Sequence, residues 1–365
     1  MLKKIKTSNN NITYADAIRD GIDVAMEKDH RVIVIGEGVP DPKAIFNTTA
    51  GLRKKYGKQR VFDMPLSENG VTGICIGAAL SGMRPIMIHQ RIDFALLAMD
   101  QLVNNAAKWH YIFNGKASVP IVVRLIIGRG WGQGPQHSQS LQAMFAQVPG
   151  LKVVMPTTAY DAKGMLLSAI DDDNPVIFIE HRWLFQNKDN VLSGFYSVPL
   201  DSAKVIREGN SLTIAAFSYM VIESFVAAKA LKECMDINLE IIDMRSVSPL
   251  DLTCVLNSIK KTGRLIVADT AFYFGSIGGE LISQVTEKGF SMLKSPPIRI
   301  ASPNAPTPTS HYMTKGYYPD SQTIADEVVK ILDLNKKSNK YFNMCEMLKR
   351  EKPHDVPNLE FTGPF

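Results

Sequence analysis

The stretch from Asp63 to Phe94 constrains the fold of this chain more than any other part of the sequence. It contains a short strand, an acid at Glu68, a helix rich in glycine and alanine, and a second strand at 86–88. Glycine is a poor residue for an isolated helix, so these small residues are expected to admit another backbone or a flat ligand at close range. The unit predicts a parallel sheet, and such sheets bind ligands beyond the carboxyl ends of their strands.

Glu68 has two interpretations at this stage. Ser67 can cap the helix and the helix dipole stabilises an acid in the first turn, so Glu68 fits an ordinary helix start. Glu68 also occupies the mouth of a strand-loop-helix unit, where an acid can take part in chemistry.

Strands and helices alternate on both sides of this unit. In the first half, Thr13 and Asp16 resemble a capping box that opens a helix at 13–28. The other predicted helices are 44–56, 97–112 and 159–171, and the predicted strands are 31–35, 121–127, 152–154 and 176–180. Residues 181–200 lack periodicity and predict a linker, and a second alternating series runs from 212 to 334. The fold class is therefore α/β, with two domains that each contain a mainly parallel sheet covered by helices.

The predicted domains span 1–190 and 200–335, and a tail spans 336–365. This tail is polar with scattered aromatic residues, which predicts either disorder or a segment laid across a partner surface.

Composition excludes several classes of protein. The net charge of +5 is spread over 365 residues without a basic run interleaved with aromatic residues, which argues against nucleic-acid binding. No uncharged apolar run approaches the roughly 20 residues that span a bilayer. The four cysteines are far apart in sequence, and we expect them to be reduced, buried thiols of a cytoplasmic protein.

His137 lies in a glycine-rich loop after the strand at 121–127. The loop lacks the Gly-Lys-Ser/Thr ending of a P-loop, and Gln133 stands where a dinucleotide fingerprint needs its third glycine. Alone, His137 fits a loop histidine bonded to backbone. Two polar loops that follow strands of one sheet, those of Glu68 and His137, favour a shared site.

Several short motifs resemble the beta subunits of the thiamine-diphosphate-dependent 2-oxo acid dehydrogenases and, more distantly, the last two domains of transketolase. The resemblance covers about residues 12–334. Its most specific segments are Pro65-Leu-Ser-Glu68-x-Gly, Gly77-Ala-Ala-x-x-Gly82-x-Arg-Pro85, Asp93-Phe94, Gln136-His137-Ser-Gln139 and Asp172-Asp-Asn174-Pro175.

The resemblance implies a pyrimidine-binding domain followed by a transketolase C-terminal-like domain. It implies that Glu68 hydrogen-bonds N1′ of the thiamine diphosphate aminopyrimidine and that His137 faces the reactive C2 carbon. Phe94 and Gln90 match cofactor-binding positions. Positions around a structural monovalent cation, such as K⁺, match Ile121, Ala169, Asp172 and Asn174, although Asp172 equally fits a helix-end residue.

The resemblance also implies a missing half of the site. Mg²⁺ and the diphosphate are held in this superfamily by a domain with a Gly-Asp-Gly segment, and this sequence contains none. An alpha subunit is therefore expected to hold Mg²⁺ and to share the cofactor in an α2β2 assembly, and the resemblance offers a lipoyl acyltransferase core as a further partner.

The chain departs from the family where an acid and an aromatic residue are usual near the site. Here His89 and Arg91 occupy that segment, and Arg129 precedes His137, so we expect a polar substrate pocket. The alternative is that Arg91 points to solvent or pairs with Asp93 or a partner acid. Two further functions stay open: a transketolase-like or acyloin-forming synthase, and a silent scaffold subunit.

Overall fold

The computed structural model describes residues 9–43, 45–128 and 132–356. Among these residues, 9–127 and 144–200 form one compact unit, and 132–143 and 201–356 belong to a second. Each unit is an α/β structure, as predicted.

In the first 200 residues the strands are β1 (Asn9–Thr13), β2 (Val32–Gly36), β3 (Val61–Phe62), β4 (Arg84–His89), β5 (Val122–Ile127), β6 (Lys152–Val154), β7 (Val176–His181) and β8 (Lys188–Leu192). The α-helices are α1 (Tyr14–Lys28), α2 (Leu52–Tyr56), α3 (Glu68–Leu80), α4 (Ile92–Ala95), α5 (Ala107–Ile112), α6 (Gln142–Ala146) and α7 (Ala159–Asp171). Strands adjoin in the order β6-β7-β5-β4-β2-β3. Each of these pairings is parallel.

In the second unit the strands are β9 (Lys204–Arg207), β10 (Leu212–Ala216), β11 (Leu239–Asp243), β12 (Ser246–Ser248), β13 (Leu265–Phe272) and β14 (Ile298–Ser302). The α-helices are α8 (Tyr219–Met235), α9 (Leu252–Thr262), α10 (Ile277–Gly289), α11 (Ser321–Ile331) and α12 (Asn339–Leu348). A five-stranded sheet has the order β14-β13-β10-β11-β9, and only its edge strand β9 is antiparallel to its neighbour.

Local sequence explains how the first unit begins and how its sheet closes. The Thr13 side chain accepts a hydrogen bond from the backbone N–H of Asp16, as the capping box predicts, and α1 starts there. At the end of β2, a Cβ on Gly36 would lie 2.5 Å from the carbonyl oxygen of Ile88 on β4. Only glycine therefore allows these two strand ends to approach so closely.

The structure corrects two sequence predictions. The predicted helix 44–56 is reduced to a 3₁₀ turn at Ile45–Asn47 and the short helix α2, because residues 45–47 all have positive φ values. The predicted linker 181–200 contains β8, which pairs with β1. Its polar residues alternate without an apolar face, so periodicity could not reveal the strand.

The described part of the tail, residues 336–356, differs from both expectations. Residues 339–348 form α12, which packs on α8 of the same chain. Met344 and Leu348 lie four residues apart and are buried in the core of the second unit. Their spacing explains why this polar segment is ordered.

The structure bears on two predictions from composition, the state of the cysteines and the lack of a membrane span. All four cysteines are unpaired thiols; Cys75 is buried, whereas Cys234, Cys254 and Cys345 are half-buried, so the expectation of burial holds only for Cys75. Within the described ranges, no helix combines the length and apolarity that crossing a bilayer requires.

Candidate active site

Glu68 is the first residue of α3 and is 9% exposed. Ser67 occupies the N-cap position but makes no capping hydrogen bond with its side chain, so the predicted Ser67 cap is wrong. One turn later in α3, the Thr72 hydroxyl donates to the backbone carbonyl oxygen of Glu68 at 2.7 Å. The Glu68 carboxyl group is therefore held at a helix N-terminus, where the dipole favours negative charge.

A second acid, Glu37, directly follows β2 and faces the same region. Burial raises the pKa of Glu37, and the neighbouring charges of Glu68 and Asp63 raise it further. Its Oε1 atom is buried without a hydrogen-bond partner in the part of the chain that the structure describes. Glu37 is not among the residues predicted from the sequence, although it stands as an acid between two glycines after a buried strand.

Gln90 and Phe94 follow β4, the next strand of the sheet. The Gln90 side-chain amide donates to the carbonyl oxygen of Glu37 at 3.0 Å, and Phe94 is half-buried on α4. The strands β3, β2 and β4 are adjacent and parallel. Their carboxyl ends thus bring Glu68, Glu37, Gln90 and Phe94 to one edge of the sheet.

His89 and Arg91 are also at this edge, and both are buried. Burial lowers the pKa of His89 to about 4 and that of Arg91 to about 10, while the charge of Asp93 partly opposes the shift of Arg91. The alternative that Arg91 points to solvent is therefore wrong. Arg129 lies outside the described residues. A further buried arginine, Arg182, was missed because it is distant in sequence.

His137 lies in a turn of the second unit and is half-buried. A Cβ on Gly134 would lie 2.7 Å from the Thr309 hydroxyl oxygen, so this loop needs glycine there. Gln142, just beyond the loop, donates to the fully buried Asp269 at 2.6 Å. The part of the loop that follows His137 is thus anchored. That His137 and Glu68 belong to one site remains a prediction.

The proposed cation positions are occupied by internal contacts. Asp172 ends α7, its carboxylate binds the Lys152 ammonium group, and it accepts the Asn174 backbone N–H at 2.9 Å. The carbonyl oxygen of Ile121 accepts the Val176 N–H at 3.0 Å. These contacts favour the helix-end role of Asp172, and the K⁺ site that also includes Ala169 remains a prediction.

Comparison with known proteins decides the family. Residues 10–188 match the family model "Transketolase, pyrimidine binding domain", and residues 201–324 match "Transketolase, C-terminal domain". The acetoin:2,6-dichlorophenolindophenol oxidoreductase subunit beta of Bacillus subtilis (strain 168) is 39% identical over 333 residues, covering 88% of this chain and 97% of the relative. The pyruvate dehydrogenase E1 component subunit beta of Rickettsia bellii is 38% identical over 320 residues, covering 88% and 98%.

The chain belongs to the beta subunits of the thiamine-diphosphate-dependent 2-oxo acid dehydrogenases. Among solved structures, a split gene transketolase, described as an inactive beta4 tetramer, superimposes with a TM-score of 0.72 at 19% identity and covers 89% of this chain and 99% of its own. The predicted family and transketolase-like fold are thereby confirmed.

The residues at the sheet edge of this beta subunit fit the aminopyrimidine of thiamine diphosphate. A ring nitrogen and an exocyclic amino group need an acid and a hydrogen-bond acceptor, and Glu68 and the partnerless Oε1 of Glu37 are groups of those two kinds. Phe94 offers a flat apolar surface at the same edge. Within the described ranges, no group of three or more His, Cys, Asp or Glu residues is arranged to hold a metal ion.

Proposed function

We propose that this beta subunit activates thiamine diphosphate for the decarboxylation of a 2-oxo acid and for acyl transfer, with Glu68 as the acid at N1′. When bound, the cofactor supplies the nucleophilic carbon and the electron sink of this chemistry. The observation that carries the role of Glu68 is its place beside Glu37 at the sheet edge, where burial and the Glu68 charge raise the pKa of Glu37.

The other side chains have supporting roles in this proposal. Phe94 packs on the aminopyrimidine, and Gln90 holds the backbone of Glu37 in place. His137 hydrogen-bonds the substrate oxygen and stabilises negative charge there as the reaction proceeds. The anchored start of α6 supports a fixed position for this imidazole.

The proposal includes an alpha subunit that binds the diphosphate and Mg²⁺, in an α2β2 assembly that can serve a lipoyl acyltransferase core. Two observations support it: the sequence has no Gly-Asp-Gly segment, and the structural relative is described as an inactive beta4 tetramer. The four unpaired cysteines support a cytoplasmic location.

A second candidate is a transketolase-like or acyloin-forming synthase subunit. It is favoured by the buried side chains of His89 and Arg91, because an apolar acyl group would meet polar groups there. Both candidates use the same cofactor and the same acid, and they differ in the substrate.

The proposal is tested with Glu68→Gln in the complex reconstituted with the alpha subunit. Turnover should fall by about 100-fold or more, because the amide cannot exchange a proton with N1′. Glu27→Gln is the control, since Glu27 is exposed at the surface, where its carboxylate lies 3.8 Å from the Lys55 ammonium group. Near-normal turnover of Glu68→Gln at saturating cofactor would show that the assigned role is wrong.

Calorimetry tests whether the cofactor site is shared between this chain and the alpha subunit. Thiamine diphosphate should bind negligibly to this chain alone and tightly after the alpha subunit is added. Tight, Mg²⁺-dependent binding to the lone chain would contradict the shared site.

A further inference from the structure

The loop that carries His137, described over residues 132–141, rests on two neighbouring strands of the second unit. β13 and β14 are adjacent and parallel in the five-stranded sheet. Thr309 lies in the segment after β14, and a Cβ on Gly134 would lie 2.7 Å from its hydroxyl oxygen. Asp269 belongs to β13 and accepts the Gln142 side-chain amide at 2.6 Å. These two contacts lie before and after His137 in sequence, so the loop is held on both sides.

Asp269 is the first residue of β13 beyond the regular part of the sheet. Ala268 is still in register with Ala216 on β10 and with Ile300 on β14. The register with β14 then shifts before Phe272. Irregularities of this kind redirect a side chain and are common next to active sites. Asp269 thus lies at the carboxyl end of a parallel strand, where such sheets place their functional loops.

The carboxylate of Asp269 is fully buried and is surrounded by N–H donors. The backbone N–H of Ala271 donates to its Oδ1 atom at 3.3 Å, in addition to the Gln142 amide. Burial raises the pKa of Asp269, whereas hydrogen bonds from Ala271, Gln142, Thr270 and Gly278 act in the opposite direction. Gly278 is the second residue of α10, so the N-terminus of this helix adjoins the carboxylate. Asp269 is therefore fixed by the backbone of its own strand end and of α10.

Gln142 connects this fixed carboxylate to the loop. It is the first residue of α6, and its side chain is fully buried. Its Oε1 atom has no hydrogen-bond partner in the part of the chain that the structure describes, so its Nε2 atom carries the contacts of the amide. That atom lies 2.6 Å from Asp269 and 3.4 Å from the Thr270 hydroxyl oxygen. The shorter contact, with Asp269, is the stronger hydrogen bond and holds the start of α6 in place.

We propose that Asp269 is a positioning residue for His137 and acts through Gln142 and the start of α6. This inference rests on the proposed function, in which His137 hydrogen-bonds the substrate oxygen, and it names the group that fixes the imidazole. A displacement of about 1 Å can lower a catalytic rate by roughly 100-fold, so a histidine on a loop needs such an anchor. Asp269 makes no contact with the substrate in this proposal.

The first test compares Asp269→Ala with Asp269→Asn in the complex with the alpha subunit. Asp269→Ala should lower kcat by roughly 10- to 100-fold and change KM little, because His137 acts as negative charge develops on the substrate. Asp269→Asn keeps a side-chain oxygen that can accept from Gln142, so its kcat should stay within about 5-fold of wild type. A normal kcat for Asp269→Ala would overturn the inference.

The matched control is Asp326→Ala. Asp326 on α11 also accepts a hydrogen bond from a glutamine amide, that of Gln322 at 2.9 Å. Its replacement removes the same kind of contact from a helix that packs on α8. This variant should keep the wild-type kcat. A fall like that of Asp269→Ala would show that general destabilisation explains the kinetic loss, which would overturn the inference.

A double variant separates positioning from an independent effect of Asp269. His137→Asn should itself lower kcat, and Asp269→Ala should add little to that loss, because the anchor then has no imidazole to hold. Additive losses in the double variant would show that Asp269 acts independently of His137 and would overturn the inference while the proposed function stands. If His137→Asn keeps normal turnover, the proposed role of His137 fails, and the second test alone decides whether Asp269 anchors the loop.

The second test does not depend on activity. Hydrogen exchange of the full chain is followed by mass spectrometry in peptides that cover residues 132–148. Asp269→Ala should speed exchange there by about 10-fold, because the loop and α6 open more often without their anchor. Asp269→Asn and Asp326→Ala should leave this exchange unchanged.

Gln142→Met completes the exchange experiment and covers the case in which Asp269→Ala folds poorly. Methionine has nearly the same length as glutamine and lacks the amide, so Asp269 and its surroundings stay in place. This variant should speed exchange over residues 132–148 as Asp269→Ala does. Wild-type exchange in Gln142→Met would show that the contact with Asp269 does not hold the loop, and the inference would be wrong.

Discussion

The buried charged side chains of the first unit and those near the tail in the second unit differ in what controls their pKa values. In the second unit, Arg350 meets Glu223 at 3.5 Å, His354 meets Asp320 at 3.2 Å, and His311 meets Asp355 at 2.7 Å. In the first unit, Arg91 and Arg182 are buried at the sheet edge.

The difference shows whether hydrogen bonds or burial dominate the pKa of a buried charged group. Burial opposes the charge of Asp320, but hydrogen bonds from His354 and Thr323 outweigh it and lower its pKa to about 2. At the sheet edge, burial lowers the pKa values of Arg91 and Arg182, and the charge of Asp93 partly opposes the shift of Arg91. Hydrogen bonds outweigh the cost of burial at Asp320, whereas burial dominates at the two arginines.

The largest expected effect comes from breaking the buried ion pair of Arg124 and Glu180 on β5 and β7. Arg124→Leu leaves Glu180 buried without its partner and should lower the free energy of unfolding by about 3–5 kcal/mol. Denaturant unfolding of the full chain measures this. The double variant Arg124→Leu/Glu180→Leu removes both charges and should recover much of the loss. A single-variant cost below about 1 kcal/mol would show that this buried pair contributes no more than a surface ion pair.

The next effect concerns pH and His89. The pKa of this buried imidazole is lowered from 6.5 to about 4, so the unfolded chain binds the proton more readily than the folded chain. Its stabilising contribution is present above pH 6.5 and is lost as the pH falls from there to about 4, by roughly 3 kcal/mol.

Unfolding of wild type and His89→Gln across this pH range measures the contribution of His89. The variant should lose less stability on acidification than wild type. Parallel curves for the two proteins would show that His89 does not titrate in this way.

The smallest expected effect is the loss of stability when Asp320 is replaced. This residue caps α11 by accepting the Thr323 N–H at 2.9 Å, and it also binds His354. Asp320→Ala should cost about 1–2 kcal/mol in free energy of unfolding. Asp320→Asn keeps a good cap and should cost less, which isolates the ion pair.

The pH response of Asp320 has the sign typical of an acid with a lowered pKa. Its contribution is present above pH 3.8 and is lost as the pH falls towards 2. Thermal unfolding of both variants, with exposed Asp201→Ala as control, measures it. Equal losses for Asp320→Asn and Asp320→Ala would assign the whole effect to charge.

The sequence by itself determined the α/β class, most element positions and the acid at the sheet edge. Thr13 and Asp16 form the predicted cap, and Glu68 begins its helix where the motif placed it. These features depend on residues a few positions apart, because helix and strand periods and caps are local properties.

Only the tertiary structure decided which distant side chains meet. Arg182 approaches Arg91 because β7 and β4 flank the same strand, and Glu37 approaches Glu68 because β2 and β3 are neighbours. The positive φ values at residues 45–47 could not be predicted from the sequence either, because none of these residues is a glycine. Burial and the interactions between charges depend on which strands pack together. The spacing of residues along the sequence does not show which strands do so.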